Sequence, residues 1–331
     1  MTAKRRIGNS SLEIAPLALG GNVFGWTADE ATSFALLDAF VDSGGTMIDT
    51  ADVYSAWAPG NKGGESESVI GRWLKRDPGK REKVVIATKV GFLDAKVDPK
   101  SYDGKVNSGA FAASLDPQVI AAGADASLKR MGIETIDLYY QHRDNRDVPL
   151  ADSLGAFETL RQAGKIRATG LSNFEPERVE EALTVAQDGG FAPAVAVQGW
   201  YNLVERAKYE GALQDLVTAR GLSFLSFYSL ANGFLTGKYR SQDDLGKSPR
   251  GLRNAAYLEG RGPKVLAALE TVAGETGATL ASVTLAWTMA QPGIAAPIAS
   301  ATSLEQLREM MAAMTLELTP AQMALLSEAS A

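Results

Sequence analysis

Short apolar runs rich in β-branched residues recur along the chain, and most are followed by a segment with apolar residues at three- and four-residue spacing. This alternation predicts parallel strands joined by crossover helices. The predicted strands are 16–20, 46–49, 84–90, 136–141, 166–171, 194–198, 222–228 and 294–298. The predicted helices include 28–43, 65–76, 117–131, 151–163, 176–187 and 207–219. Eight strand-helix units in 331 residues favour a (β/α)8 TIM barrel over an open α/β sheet.

No linker rich in Pro, Gly or Ser divides the chain, so we expect a single domain over residues 1–331. Two long connections, 93–115 and 241–262, follow predicted strands and are rich in Gly, Ser, Asp and Lys. Long loops of compact domains are often binding loops. Because the active sites of TIM barrels are built from the loops after the strands, we expect both connections at that C-terminal face.

Composition and the missing motifs exclude several classes of function. A net charge of −6 without a dense Lys/Arg cluster argues against a nucleic-acid partner. The chain has no cysteine, which excludes disulfides, Cys-ligated zinc, iron–sulfur clusters and thiol catalysis. It has no unbroken apolar N-terminal stretch and no apolar segment long enough to span a bilayer, so we expect a cytoplasmic protein without a membrane partner.

The glycines after the first predicted strand do not have the spacing of a dinucleotide-binding fold. Residues 19–25 read LGGNVFG, where a Rossmann domain would carry GxGxxG. A P-loop, GxxxxGK[ST], is also absent from the sequence. Both observations favour the barrel over the open nucleotide-binding sheets.

Four polar residues lie at or just beyond the predicted C-terminal ends of strands: Asp49, Tyr54, Lys89 and His142, the single histidine. Lys89 ends an apolar strand, and a buried ammonium requires a partner such as Asp49. A lysine beside a phenol would lower the phenol's pKa from about 10 and make Tyr54 a competent acid. Taken singly, each residue also has a structural explanation, as a core ion pair, a packed loop aromatic or a hydrogen-bonded histidine. Together at one face they favour catalysis.

These residues fall in segments that resemble the motifs of one family. The segments are 49–54 (DTADVY), 64–71 (GESESVIG), Thr88–Lys89, His142, 164–174 (GKIRATGLSNF) and Gln198. The sequence resembles the aldo-keto reductase superfamily, a family of NAD(P)H-dependent barrels, over essentially its whole length. The resemblance implies an oxidoreductase in which Tyr54 is the general acid or base, Lys89 tunes it, Asp49 pairs with Lys89 and His142 orients the substrate carbonyl.

The resemblance also implies how the cofactor is held. Ser172, Asn173 and Gln198 would bind the nicotinamide carboxamide, Tyr228 would stack on the ring, and the loop 229–239 would meet the pyrophosphate. The full set of implied cofactor-binding residues is Gly21, Asn22, Asp49, Ser172, Asn173, Gln198, Tyr228, Ser229, Leu230, Asn232, Gly233, Leu235, Gly237, Lys238, Ser300, Ala301, Thr302 and Gln306.

The adenosine end departs from the family pattern. Leu230 replaces a frequent proline, Ser300 a usual Gly or Lys, and Met310 a usual Asn. Thr302 and Gln306 are uncharged where many relatives hold the 2′-phosphate with a basic side chain. The family pattern favours NADP(H), and NAD(H) is the alternative.

Three bulky residues after predicted strands, Trp26, Trp57 and Trp200, are candidates for the substrate pocket, together with Tyr54 and His142. Ordinary loop packing explains the tryptophans equally well. Aromatic walls suit apolar carbonyl compounds and also stack on sugar faces, so the substrate class stays at a small-molecule carbonyl or alcohol. No metal is required, and the sequence leaves the oligomeric state open.

The expected function is therefore hydride transfer between a nicotinamide and an aldehyde, ketone or alcohol. Three alternatives stay open: a nicotinamide-bound regulatory subunit similar to potassium-channel β subunits, an NAD-dependent sugar or polyol dehydrogenase, and an isomerase or aldolase that uses Lys89 as a Schiff-base nucleophile.

Overall fold

The computed structural model describes residues 3–92 and 114–331. A short antiparallel pair, which the sequence did not reveal, comes first and is followed by eight parallel strands that close into a barrel. In chain order the strands are β1 (Arg5–Arg6), β2 (Glu13–Ile14), β3 (Ala18–Gly20), β4 (Met47–Asp49), β5 (Val85–Val90), β6 (Ile136–Gln141), β7 (Ile166–Ser172), β8 (Ala196–Trp200), β9 (Ser223–Phe227) and β10 (Ile294–Ala299). All eight predicted strands are present, and the (β/α)8 barrel is confirmed.

Helices cover the outside of the barrel. They are α1 (Glu30–Asp42), α2 (Glu65–Arg76), α3 (Pro117–Met131), α4 (Leu150–Gln162), α5 (Pro176–Gly189), α6 (Ala212–Ala219), α7 (Gly262–Thr276), α8 (Leu280–Met289), α9 (Leu304–Ala312) and α10 (Pro320–Ala329). The predicted helix 207–219 is wrong in its first part. Arg206–Lys208 forms a single 3₁₀ turn, and Gly211 at φ 94° and ψ −132° leaves helical geometry, so α6 begins at Ala212.

Local chemistry fixes where several helices begin. The Asp29 carboxylate accepts a hydrogen bond from the Thr32 backbone N–H at the start of α1, and Thr319 caps α10 in a reciprocal pair with Gln322. These side chains satisfy backbone N–H groups that the first turn of a helix leaves without a partner.

Alternation along the strands directs the polar residues into the barrel. Met47, Ala87 and Ala196 belong to the cluster that fills the interior. Residues two positions further along a strand face the same side, which places Asp49, Lys89 and Gln198 one layer above them at the C-terminal ends of their strands. Alternate residues such as Ile48 and Ile86 pack outward against the helices. The hydrophobic pattern therefore determines which polar side chains meet.

The two long connections predicted from the sequence differ in how far the structure describes them. Most of the connection 93–115 lies outside the described residues. The connection 241–262, predicted as a loop, contains two 3₁₀ segments, Gln242–Lys247 and Gly251–Leu258, and the first residues of α7 follow. Among the described helices, none has the length and apolar character to cross a membrane.

Candidate active site

A cavity of about 630 Å³ opens at the C-terminal ends of the barrel strands. Most of the side chains selected from the sequence line it, and they come from the ends of seven strands and from the loops that follow them. Those at its wall are Asn22, Tyr54, Trp57, His142, Ser172, Asn173, Gln198, Tyr228, Ser229, Leu230, Asn232, Gly233, Lys238, Ser300, Thr302 and Gln306.

The remaining selected residues do not form the cavity wall. Asp49 and Lys89 are fully buried beneath it. Gly21, Leu235 and Ala301 are buried in the surrounding structure, and Gly237 ends the 3₁₀ segment after β9. Trp26 contacts the edge of Trp57, and Trp200 packs on Tyr228, so both support residues of the wall.

Lys89 holds the centre of the buried layer. Its Nζ donates hydrogen bonds to Asp49 Oδ1 at 2.6 Å, to the Thr50 carbonyl at 2.7 Å and to the Tyr54 phenolic oxygen at 2.9 Å. An ammonium has three N–H groups, so all of its donors are used. Burial lowers the pKa of Lys89, and the Asp49 carboxylate opposes this effect. Lys89 is therefore a positioned, fully bonded cation and has no free donor for the cavity.

The Tyr54 phenol stands between this buried layer and the cavity. Its hydroxyl donates to Asp49 Oδ1 at 3.2 Å, and the side chain is half-buried. Burial and the neighbouring Asp49 carboxylate raise the pKa of Tyr54 well above its ordinary value of 10. The expectation that Lys89 lowers this pKa was wrong in net direction, because burial and Asp49 outweigh the ammonium. Tyr54 is consequently a phenol, not a phenolate, at neutral pH.

His142 borders the same end of the cavity. Its ring lies 6.2 Å from that of Tyr54 and 4.4 Å from that of Phe92, measured between centroids. Burial and the positive charges of Lys89 and Arg143 hold the pKa of His142 well below 6.5. Its buried Nδ1 has no hydrogen-bond partner among the described residues. A neutral imidazole carries one N–H donor and one acceptor nitrogen, so His142 can donate a hydrogen bond to a carbonyl oxygen.

Amide side chains occupy the ends of β7 and β8. Gln198 donates from Nε2 to Asp49 Oδ2 at 2.8 Å. Asn173 donates from Nδ2 to the His142 carbonyl at 2.9 Å and to Ser172 Oγ at 3.1 Å. The Asn173 backbone N–H donates to the Gln198 carbonyl at 3.1 Å and so connects these two groups of contacts.

Backbone strain is concentrated around this cavity. Among the described residues, five non-glycine positions have left-handed backbone: Ser55, Asn173, Tyr228, Ala231 and Asn232, with φ between 47° and 71°. Such conformations are uncommon for side chains of these types and often mark functional sites. All five follow barrel strands at the C-terminal face, and three of them form the turn after β9.

That turn presents polar groups to the cavity. The buried Asn232 Oδ1 has no hydrogen-bond partner among the described residues. Gly233 has φ 92°, in the left-handed region that favours glycine, and a Cβ there would lie 2.9 Å from Lys238 Nζ. The turn and the Lys238 ammonium therefore lie together at the cavity wall.

Sequence reasoning missed a group of cations in the connection after β9. Lys247 and Arg250 line the cavity with Ser248 and Pro249. Lys247 pairs with Asp244, but no carboxylate among the described residues pairs with Arg250. The Lys-rich composition of 241–262 was the available signal, and which of its cations face inward depends on the 3₁₀ folding of the segment. Other missed wall residues are Gly20, Thr27, Val53, Phe92, Phe227, Thr236, Ala281, Ile298, Ala299, Glu309 and Met310.

At the other end of the cavity, Ser300 lies directly after β10, where this strand and β3 meet. Its hydroxyl donates to Asn22 Oδ1. Gln306 Oε1 accepts from the backbone N–H of Thr302 at 2.9 Å and from its hydroxyl at 3.1 Å. The predicted adenosine end is thus a set of uncharged hydrogen-bonding groups already bonded to one another.

A larger and more open groove, of about 1100 Å³, lies at the opposite end of the barrel. Its walls include the C-terminal ends of α2 and α3, and its lining contains none of the residues selected from the sequence. Arg81 and Arg167 in its wall both pair with the buried Asp137. These two arginines therefore have a structural partner. Among the described residues, no His/Cys/Asp/Glu cluster is arranged to hold a metal ion.

Comparison with known proteins adds independent information. The family model described as "Aldo/keto reductase family" matches residues 16–331. The chain is 33% identical over 316 residues to the uncharacterized oxidoreductase YrpG of Bacillus subtilis, covering 94% of this chain and 91% of that protein. It is 29% identical over 335 residues to aldo-keto reductase yakc [NADP(+)] of Schizosaccharomyces pombe, covering 98% and 90%. It is 28% identical over 320 residues to L-glyceraldehyde 3-phosphate reductase of Escherichia coli, covering 94% and 87%.

Proposed function

This chain belongs to the aldo/keto reductase family, and from that premise we propose that it interconverts aldehydes or ketones and alcohols with a nicotinamide cofactor, Tyr54 exchanging the proton. One observation carries the proposal. The Tyr54 phenol lies at the cavity wall, 2.9 Å from the buried Lys89 ammonium, and His142 borders the same space. A proton donor, a cation behind it and a neutral hydrogen-bond donor beside it are the groups that carbonyl reduction needs.

In the reductive direction Tyr54 gives its proton to the substrate oxygen as negative charge develops there. Its raised pKa keeps the phenol protonated until that moment. The phenolate that forms is stabilised by Lys89, whose ammonium already faces the phenolic oxygen. The hydroxyl hydrogen now directed at Asp49 has to turn toward the cavity, and this is a rotation about a single C–O bond. Alcohol oxidation is the same path in reverse.

His142 orients the carbonyl. As a neutral imidazole it donates a hydrogen bond without taking part in proton exchange, because its low pKa disfavours the charged form. Phe92 stands edge-on to the His142 ring and restricts its rotation. The carbonyl oxygen is thereby held between two donors, Tyr54 and His142.

The cavity residues fit a nicotinamide dinucleotide. Ser172, Asn173 and Gln198 offer amide and hydroxyl groups for a carboxamide, and Lys238, beside the turn at Asn232 and Gly233, offers an ammonium for phosphates. The orphaned Asn232 Oδ1 in this turn is a polar atom without a protein partner, as expected at a ligand site. When bound, the cofactor supplies or accepts the hydride.

We favour NADP(H) over NAD(H). Lys238, Lys247 and Arg250 give the cavity wall three cations, of which Arg250 has no carboxylate partner among the described residues. A relative at 29% identity bears NADP(+) in its name. NAD(H) remains the alternative, because Thr302 and Gln306 are uncharged and bonded to each other.

The burial of Lys89 argues against a Schiff-base mechanism. A lysine nucleophile needs an uncharged amine that can reach the substrate. Lys89 has no exposed surface and donates all three N–H groups to protein oxygens. This geometry supports a reductase over an aldolase or isomerase on the same barrel.

The proposal is tested by titrating the tryptophan fluorescence with NADPH and NADH in parallel, then following NADPH absorbance with a panel of aldehydes. We expect saturable NADPH binding, weaker NADH binding and aldehyde-dependent oxidation. Tight binding without turnover of any aldehyde, ketone or alcohol would instead support a cofactor-bound regulatory protein. Binding of neither nucleotide would overturn the assignment.

A further inference from the structure

Behind the Tyr54–Lys89 pair lies a buried carboxyl group that the proposed mechanism does not use. Asp52 is only 2% exposed. Its backbone N–H donates to the Lys89 carbonyl at 3.2 Å, which attaches it to the strand that carries Lys89. The backbone N–H groups of Val53 and Gly91 act on its carboxyl group and lower its pKa, against the effect of burial. Among the described residues its Oδ1 has no hydrogen-bond partner.

Asp52 shares this space with a second buried carboxylate. Glu67, on α2, is fully buried and accepts from Thr88 Oγ1 at 2.6 Å and from Arg130 Nε at 2.6 Å. Glu67 therefore has a cation and a hydroxyl as partners, whereas Asp52 has two backbone amides. Of two neighbouring buried carboxyl groups, the one without a cation bonded to it retains the proton.

The charges of this cluster balance only when Asp52 is neutral. Asp49 and Glu67 face Lys89 and Arg130 in two ion pairs of 2.6 Å each. An ionised Asp52 would add a fifth, uncompensated charge to the protein interior, which is costly. Two phenols also face the cluster, Tyr54 and, on β6, the buried Tyr139.

We propose that Asp52 is a positioning residue for proton transfer: its neutral form keeps the buried layer around Lys89 and Tyr54 electrically balanced, and its ionisation slows carbonyl reduction. The inference rests on the proposed function of Tyr54 as proton donor. A negative charge on Asp52 opposes the formation of a phenolate on Tyr54, because like charges in a low-dielectric interior repel strongly.

Asp52 ionises within a pH range that is accessible to experiment. Burial and the Glu67 carboxylate raise the pKa of Asp52 to about 7. The pKa of Tyr54 lies well above 10 and that of His142 well below 6.5, so neither of these groups titrates near neutrality. The charge of Asp52 also acts on Lys89, where it raises the pKa of the ammonium.

The first arm of the test needs no turnover. Infrared difference spectra of the intact protein between about pH 5 and about pH 9 report the C=O stretch of a protonated buried carboxyl group. We expect a band that disappears with a midpoint near neutrality and is absent in Asp52→Asn. Asp125→Asn, which removes an exposed carboxylate paired with Lys165, is the control and should leave the band unchanged. If Asp52→Asn leaves the band unchanged as well, or the wild-type protein shows no such band, the proposal is overturned whether or not the protein is an enzyme.

The second arm measures kcat for NADPH-dependent reduction of benzaldehyde, or of another aldehyde that the wild-type protein turns over, across the same range. We expect the enzyme to be faster when Asp52 is neutral. The wild-type kcat should therefore fall about tenfold for each pH unit above the midpoint of the Asp52 titration, until the rate of the ionised form is reached. Asp52→Asn should retain the rate measured below the midpoint and lose this decline, and Asp125→Asn should behave as wild type. An unchanged decline in Asp52→Asn contradicts the proposal. Absence of turnover in every variant, together with a titrating infrared band, would place the failure in the proposed function.

Discussion

The Lys89 ammonium donates to both Asp49 and Tyr54, at 2.6 Å and 2.9 Å, and is itself fully buried. One cation therefore compensates a buried carboxylate and faces the atom proposed to exchange a proton. The Lys89 side chain therefore contributes both to the stability of the fold and to the proposed proton transfer. Substitutions at this position should affect stability and activity together, and a suitable second substitution should separate the two effects.

Replacing Lys89 by methionine keeps an unbranched side chain, one atom shorter, and removes the charge. We expect kcat for aldehyde reduction to fall by at least about a hundredfold, because the phenolate of Tyr54 loses its stabilising cation. The unpaired Asp49 carboxylate should also cost about 3–5 kcal/mol of unfolding free energy. In Lys89→Met/Asp49→Asn, urea unfolding should recover much of the stability while kcat stays low. Recovery of both would assign Lys89 a purely structural role.

Arg250 provides a test of cofactor recognition. Arg250→Ala should weaken NADPH binding by roughly tenfold or more, since a hydrogen bond to a charged group contributes about 1.5–3 kcal/mol. The fluorescence titration measures this, and the effect should shrink as salt is added. Arg240→Ala removes an exposed arginine that pairs with Glu270 outside the cavity wall, and it should bind as wild type. Equal losses in the two variants would rule out a local contact.

Two helical glycines should respond in opposite directions to alanine. A Cβ on Gly71 of α2 would lie 2.2 Å from the Arg130 carbonyl oxygen, because α2 and α3 touch there backbone to backbone. A Cβ on Gly155 of α4 would meet only Phe191, at 3.6 Å. We expect Gly71→Ala to destabilise the protein by about 1–3 kcal/mol and Gly155→Ala to stabilise it by roughly 0.5–1 kcal/mol. Urea unfolding of both variants checks the signs, and a stable Gly71→Ala would contradict the close packing described.

Asp52 also predicts how stability depends on pH. Its pKa is about 7 in the folded protein and about 3.9 in an unfolded chain. The folded state therefore binds more protons between these values, and the contribution of this group to stability falls as the pH rises from about 4 to about 7. Asp52→Asn should lose that decline, so its advantage over the wild type should grow with pH, by up to about 4 kcal/mol at pH 8. A stability difference that is constant from pH 5 to about pH 8 would contradict a raised pKa.

Periodicity was sufficient to predict the barrel and the position of Asp49 and Lys89 at the ends of their strands. The eight strands are short, mostly apolar runs, and alternation alone sends Asp49 and Lys89 to the interior face. The pair β1–β2 was missed because a strand of two residues is too short to show an alternating hydrophobic pattern. Helix α8 is buried along its whole length and so lacks the apolar and polar faces that mark an amphipathic helix.

The electrostatic part of the site was harder to predict. The direction of the Tyr54 pKa depends on burial and on the distance to Asp49, and neither can be read from spacing along the chain. The same holds for Asp52, whose significance appears only when Glu67 is brought beside it from α2. Arg250 was missed because the connection after β9 was treated as irregular. It folds into 3₁₀ turns, and this folding brings Arg250 to the cavity wall.

In the proposed reaction the Tyr54 hydroxyl transfers the proton. This step is tested most directly by Tyr54→Phe, which removes one oxygen and leaves the ring in place. NADPH affinity from the fluorescence titration should stay within about twofold of wild type, while kcat for aldehyde reduction should fall by roughly 10²–10⁴. A kcat close to that of the wild-type protein, with cofactor binding intact, would contradict the assignment of Tyr54 as the proton donor.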